Sequence, residues 1–514
     1  MEKMEAGVKQ WPEWIISTFP DGAVVGFDFT QYPAANLEQR ASTMAENNIQ
    51  VKSMANLVDQ CWGDARPQRP QKEVQHLDIT FTGRQTLDKF EDVKKKLGGK
   101  VDCLLVTTLD DIAWLTNLRG ADIDFNPVFF SYLLFYPGDE NKATLYIDAP
   151  KVANLTDYLA ANRITVAPYS QINEDLAKLA ADQKKIGVHT STCNAELHRI
   201  IKDSSVALQD HPIVHLKAVK NPVEQAGLRE ANVRDCAAIM KYFAFLETEL
   251  RKPDHGLNEF NGARKVDHLR TLGKYHVQPS FDTISSIGPN GAVIHYKPEE
   301  DTALPLNNDE IYLLDSGGQY LDGTVDITRT THFGGKPPTD FQKEAYTRVL
   351  MGVLDLERIV WPGNSSIAGK DMDILARRAL WSAGLDYKHG TGHGIGHYLN
   401  VHEGPVGINR VNAVKLLEGH LLSDEPGYYE DGQFGIRIEN DILCVKHPKH
   451  EGHLCWENLT VCPYSRNLID TNLLDANTIA YINAFHQKCL EKLTPLLQDD
   501  AAALDYVQRQ CAPL

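Results

Sequence analysis

Residues 389–405 read His-Gly-Thr-Gly-His-Gly-Ile-Gly-His-Tyr-Leu-Asn-Val-His-Glu-Gly-Pro, with histidines at 389, 393, 397 and 402. Glycine costs about 1 kcal/mol per residue in a helix relative to alanine. The fourfold spacing of His389, His393 and His397 therefore does not describe one helix face. Backbone without Cβ atoms can be packed closely against neighbouring chain. This stretch is predicted as backbone pressed into a cleft, with imidazoles aimed by loop geometry. A lone histidine is most often structural; four in one glycine-studded segment point to chemistry.

Two other segments supply acids. Glu310 to Leu314 is an apolar strand ending in Asp315; a glycine-rich turn follows, and a second strand carries Asp326. The Asp322-Gly323 pair is a turn signal, and antiparallel pairing brings Asp315 and Asp326 near each other. Two such carboxylates repel unless a cation lies between them; the alternative is a pair of solvated turn aspartates. Glu425 precedes Pro-Gly at a strand end, and Phe434-Gly-Ile-Arg-Ile-Glu439 alternates. Arg437 and Glu439 then share one face, with Ile436 and Ile438 on the core face. Alone, that pattern is equally a cross-strand ion pair. Together the segments offer Asp315, Asp326, His393, Glu425 and Glu439. Four carboxylates and an imidazole are self-repelling without metal. Two divalent cations would neutralise them and leave room for a bridging hydroxide, as in two-metal hydrolases. Oxygen-rich ligation favours Mn2+, with Zn2+ or Co2+ as alternatives.

The 514 residues allow about three domains, at roughly 100–200 residues each. The polar, proline-marked stretch Gly63–Lys72 reads as a linker. Ahead of it, Val24–Asp28 reads as a buried strand and Ala34–Asn47 as a helix. Residues 76–214 alternate strand and helix in the manner of an α/β layer domain: helix Thr86–Leu97, strands Val101–Val106, Val128–Phe135, Ala143–Ile147 and Lys185–His189, and a helix near Asn194–Ile201. Val24-Val-Gly-Phe-Asp28 and Lys185-Ile-Gly-Val-His189 form a weak repeat offset by 161 residues. If they are copies, the first lacks its opening stretch of about 80 residues. Residues 215–514 begin with the helical pattern Val223–Leu250 and hold all the acids and histidines above. Leu473–Leu504 is helix-prone.

The strings GPNGAVIHY (288–296), LLDSGGQYLDGTVDITRTTHFG (313–334), HGTGHGIGHYLNVHEGP (389–405) and DEPGYYEDGQFGIRIEN (424–440) resemble those of the pita-bread metallopeptidases. So do TLDDIAWLTNLRGADIDFNPVFFSY (108–132) and LKAVKNPVE (216–224). Within that group the match is to the eukaryotic cytosolic aminopeptidase P (X-Pro aminopeptidase) family, over nearly the whole chain. The resemblance implies an α/β (α+β) fold, with a C-terminal pita-bread catalytic domain preceded by creatinase-N-like α/β domains. The implied domains are a partial first N-terminal domain (1–75), a second (76–214) and the catalytic domain with a helical extension (215–514). It implies that Asp315 binds one metal, that Asp326 and Glu439 bridge, and that His393 and Glu425 bind the other. His295 lines the substrate pocket, His402 lies near the scissile carbonyl and His389 lies beside the site. Glu425 also shuttles a proton, and Tyr429 and Arg437 support the site. His397 matches no functional position and reads as structural.

The implied activity is release of the N-terminal residue from peptides with proline second. The runner-up is prolidase, which cleaves Xaa-Pro dipeptides; a third reading is an inactive pita-bread module that binds a partner such as a histone or RNA. A homodimer through the catalytic domain is also implied. Net charge of −17 disfavours nucleic acid. Mean hydropathy of −0.34 and the shortness of the uncharged run Asn126–Pro137 disfavour a membrane. The charged opening MEKMEAGVKQ shows no signal peptide. Nine scattered cysteines without a C-x-x-C pair read as free thiols in a reducing, cytoplasmic setting.

Overall fold

A computed structural model describes residues 11–208 and 211–514. The N-terminal stretch 1–10, read above for a signal peptide, lies outside them. Contacts divide the described residues into two compact units, one built from residues 11–76, 84–122, 128–208 and 211–213, the other from 77–83, 123–127 and 214–514.

In the first unit, helix Thr86–Leu97 ends where sequence places it, because Gly98 adopts the left-handed conformation (φ 58°) and closes the last turn. Helix Ala195–Ile201 starts at Asn194, whose side chain accepts from Leu197 N–H. A six-stranded mixed sheet runs in the order Ser205–Ala207, Ile186–Val188, Cys103–Val106, Tyr132–Tyr136, Lys142–Tyr146, Ile164–Ala167. The strand expected over Val128–Phe135 begins only at Tyr132. Residues 128–131 are loop instead, with Val128, Phe129 and Ser131 buried. Asp122 N–H donates to the Val128 carbonyl, and the Asp122 carboxylate accepts from Phe130 N–H at 2.7 Å. A short apolar run reports burial, and here local bonds to Asp122 replace a ladder.

Val24–Phe27 pairs in parallel with Gln50–Ser53, beside helix Ala34–Ala45. The weak repeat has a structural counterpart. Ala34 N–H donates to Cys193 O (2.8 Å) and Ala195 N–H to Tyr32 O (2.8 Å). Likewise Ala35 N–H donates to Thr190 O (3.1 Å) and Glu196 N–H to Phe29 O (3.2 Å). Each pair of bonds exchanges partners at an offset of 161, so the two helix starts meet in a locally two-fold arrangement.

In the second unit, helix Pro222–Glu249 opens with a capping box between Asn221 and Glu224 and buries one face in the main core. Strands Ile284–Ile287, Tyr312–Ser316 and Ile327–Thr331 form an antiparallel sheet in which Asp315 faces Thr328. A six-stranded antiparallel sheet places Gly392–Gly394 between Glu403–Ile408 and Leu421–Asp424. Hairpin Gly427–Glu430/Phe434–Arg437 completes the scaffold. The helical stretch expected over Leu473–Leu504 divides into Ala476–Leu497 and Ala501–Gln510; Asp500 caps the second by accepting from Ala503 N–H. All nine cysteines are free thiols. Among the described residues no helix is long and apolar enough to cross a membrane.

Candidate metal centre

Within the glycine-rich histidine segment Gly392–Gly394 is a short strand inside the sheet, the residues on either side are irregular, and His389, Gly390, Gly392, His393 and His402 line a cleft. Gly392 and Gly394 explain how the strand fits. A Cβ on Gly392 would collide with the Ser423 carbonyl, and one on Gly394 with the Glu403 carbonyl. The neighbouring backbones close in on both sides, and His393 projects between them. Its Nδ1–H donates to the Gly394 carbonyl (3.0 Å), because a carbonyl can only accept. That leaves Nε2 facing carboxylates, 3.4 Å from both Asp326 and Glu425.

Among the described residues, three groups of side chains present ligand atoms within 4.8 Å of one another: Asp315/Asp326/Glu439, His393/Glu425/Glu439 and Asp326/His393/His402. The first two share Glu439. They lie on the floor of a cleft of about 650 Å³ that is also lined by His295, His389, His402 and Arg437. Every site residue named from sequence except Tyr429 lines this cleft, and Tyr429 bonds His389 and Arg437, which do. His397 is buried and is not a lining residue.

The electrostatics are those of a crowded acidic floor. Burial first, then the Asp326, Glu425 and Asp315 charges, hold Glu439 well above the usual carboxylate range. Burial pushes Glu425 to about 7, despite opposition from His393. Asp326 is likewise raised by burial. His393 is lowered by its own burial, but the Asp326 hydrogen bond and the Glu425 and Asp326 charges outweigh this and raise it to about 9. Burial holds His389 and His402 down at about 4, so both are neutral at pH 7.

Arg437 organises one wall. Its Nη2 donates to Asp315 Oδ2 (2.6 Å), its Nη1 to the Tyr429 hydroxyl (2.7 Å) and its Nε to Thr328 Oγ1 (3.2 Å). The Tyr429 hydroxyl donates onward to His389 Nε2 (2.9 Å), whose Nδ1–H donates to Gly390 O (2.7 Å). Thr328 Oγ1–H donates to Glu439 Oε2 (2.6 Å). The His402 segment is pinned from behind, where Glu403 accepts from buried Lys220 (2.5 Å) and lies 3.5 Å from Lys217.

Sequence reasoning missed several of these residues. Thr328 carries no signature beyond alternation with Thr330. Asp282 and Lys297, paired at 2.8 Å, and Phe281 and Asn409 also line the cleft. His402 also belongs to one of the cation-sized groups, a placement not read from sequence.

Behind Glu439, Asn440 Nδ2 and Asn458 Nδ2 donate to the buried Glu357 carboxylate at 2.6 and 2.8 Å. Burial raises Glu357 to about 7. A carboxyl raised on folding binds its proton more tightly in the native state. Its stabilisation is therefore present below the unfolded value near 4.5 and lost as pH rises toward 7. At about 1.4 kcal/mol per pH unit, the loss is about 3 kcal/mol. Glu357→Gln should flatten the fall in stability between pH 5 and 7, measured by urea denaturation; an unchanged slope would contradict this.

The sequence matches metallopeptidase family M24 over residues 226–446, the creatinase/prolidase N-terminal domain over 65–224 and the C-terminal region of peptidase M24 over 452–514. It is 41% identical to a probable Xaa-Pro aminopeptidase P of Laccaria bicolor over 529 residues, covering 99% of this chain and 80% of that protein. The chain belongs to metallopeptidase family M24. A relative of the same description from Aspergillus fumigatus is 40% identical, with 100% and 81% covered. Among solved structures, the X-prolyl aminopeptidase of Caenorhabditis elegans, described as a cytosolic enzyme with a di-nuclear active site, matches with a TM-score of 0.92 and 33% identity. It covers 99% of this chain and 84% of that one. The Xaa-Pro dipeptidase of Bacillus anthracis matches at a TM-score of 0.60 and 24% identity, over 74% of this chain and 99% of that one; it speaks to fold alone. The α/β N-terminal region ahead of a pita-bread catalytic domain is thus the fold class of this M24 peptidase.

Proposed function

We propose that this M24 chain is a dinuclear-metal aminopeptidase that hydrolyses the Xaa-Pro bond and releases the N-terminal residue from peptides with proline second. The observation that carries the reading is the pair of cation-sized groups sharing Glu439. The residues fit metal. Asp315 Oδ1 is buried with no hydrogen-bond partner, four acids face one another, and His393 turns Nε2 toward them. Asp315 would hold one ion, Asp326 and Glu439 both, and His393 and Glu425 the other. Two divalent ions there would polarise the scissile carbonyl and lower the pKa of bound water. Oxygen-rich ligation favours manganese over zinc or cobalt.

The protein's own groups do the rest. Glu425, which lines the cleft beside His393, is placed to take a proton and return it to the departing proline nitrogen. Neutral His402 offers an N–H donor to the oxyanion, and His295 faces the same cleft. His389 stays neutral within the Arg437–Tyr429 chain. An Xaa-Pro bond has no N–H, so proline is recognised by ring shape.

We further propose a cytoplasmic homodimer associating through the catalytic segment, and domains divided near residues 75 and 214. The match of 65–224 to the creatinase/prolidase N-terminal domain supports an N-terminal region ahead of the catalytic one.

The test is mass spectrometry of an Arg-Pro-Pro-type peptide and an Arg-Pro dipeptide, each incubated with the chain and Mn2+. Release of Arg from the longer peptide is expected. Cleavage of the dipeptide alone would favour prolidase. No cleavage with Mn2+, Zn2+ or Co2+ would overturn the enzyme reading.

A further inference from the structure

Glu259 stands at the first position of helix Glu259–Arg270 and is 0% exposed. Four groups spread along the next loop donate to its carboxylate. Ile287 N–H donates to Oε1 at 2.8 Å, at the loop's start. Asn290 Nδ2 reaches Oε1 at 3.2 Å and Oε2 at 2.9 Å. The Tyr296 hydroxyl donates to Oε2 at 2.7 Å, and Leu304 N–H donates to Oε2 at 2.8 Å, at the loop's end. Glu259 N–H in turn donates to Leu304 O (3.0 Å). One buried carboxylate thus ties down both ends and the middle of residues 288–304. His295, the cleft histidine, sits between two of its donors.

The opposite side of the loop is also held. Gly291 packs on Gly435 so closely that a Cβ on Gly435 would strike the Gly291 carbonyl. Arg437 Nη2 reaches Ile294 O at 3.4 Å. The strand bearing Arg437 and the acid on Glu259 therefore grip the His295 loop from two faces. A carboxylate accepting several hydrogen bonds costs far more to remove than a solvated one, because its buried donors are left unsatisfied.

We propose that Glu259 is a positioning residue for catalysis: its carboxylate fixes the 288–304 loop so that His295 faces the acidic floor. Glu259 touches neither the candidate metal ligands nor the substrate; it acts through His295. The kinetic part of this inference rests on the aminopeptidase reading, whereas the loop-fixing part does not.

Glu259→Gln keeps the size and places an amide donor against existing donors. We expect kcat on an Arg-Pro-Pro-type peptide to fall about 10- to 100-fold with KM little changed, the scale of a misplaced catalytic group. In a His295→Ala background the same change should cost under about threefold, because both act through one group. Equal losses in the two backgrounds would overturn the proposal. Hydrogen–deuterium exchange, read without substrate, should show faster exchange confined to residues 288–304; wild-type exchange there would equally overturn it. Failure of the wild-type chain to cleave would sink the enzyme reading alone, and the exchange result would still decide the loop-fixing role. Should Glu259→Gln fail to fold, Asn290→Ala removes one donor at a partly buried site and is judged by the same cycle and exchange.

Discussion

Asp326→Ala and Glu439→Ala, each assayed with manganese supplied, should lose at least about 10³-fold in hydrolysis of an Arg-Pro-Pro-type peptide. Glu439 belongs to both cation-sized groups proposed to hold ions, and Asp326 belongs to one and lies 3.4 Å from His393 of the other. Removing a shared ligand disturbs both proposed ion positions together. Metal-ion stabilisation of developing charge is worth several kcal/mol, and each 1.36 kcal/mol is about tenfold in rate. Metal content should fall below two equivalents in the same variants. His397→Ala should keep its metal and much of its turnover, since His397 is not a lining residue. Near-wild-type turnover of either acid variant would refute the bridging assignment.

Arg437→Met should carry the second large effect, in stability as well as rate. Arg437 is 2% exposed, and its guanidinium holds Asp315, Tyr429 and Thr328 at once. Breaking a buried pair by removing one partner typically costs about 3–5 kcal/mol, because the other charge is left buried and uncompensated. Lysine is not a substitute, since one ammonium cannot span three separated acceptors. We expect both Arg437→Met and Arg437→Lys to unfold at lower urea concentration in a chelator and to lose turnover when manganese is restored. An Arg437→Lys variant with wild-type stability and rate would contradict the role given to the guanidinium fork.

Much of this site is legible in the chain because its signals are local. Asp315 lies in a strand that pairs, opposite Thr328, with the strand starting just after Asp326, although Gly318–Tyr320 and Gly323–Thr324 form further short strands between the two acids. Arg437 and Glu439 point to the site together although the strand ends at Arg437, because alternation survives the break. Gly392 and Gly394 announce close backbone approach before any neighbour is known. Other features have no such marker. Glu259 looks like any acid in a first helical turn, and only the return of residues 287–304 surrounds it with donors. Glu357 reads as an exposed helix-end acid until Asn440 and Asn458 fold over it. Val128 to Ser131 reads as strand from apolarity alone, and its bonds to Asp122 become visible only in three dimensions.

The shared-carboxylate centre is tested most directly by anomalous diffraction from crystals grown with Mn2+. Two manganese peaks per chain are expected, one among Asp315, Asp326 and Glu439 and one among His393, Glu425, Asp326 and Glu439, with Asp326 and Glu439 reaching both. A single peak, or a peak held by His402 in place of Glu439, would contradict this.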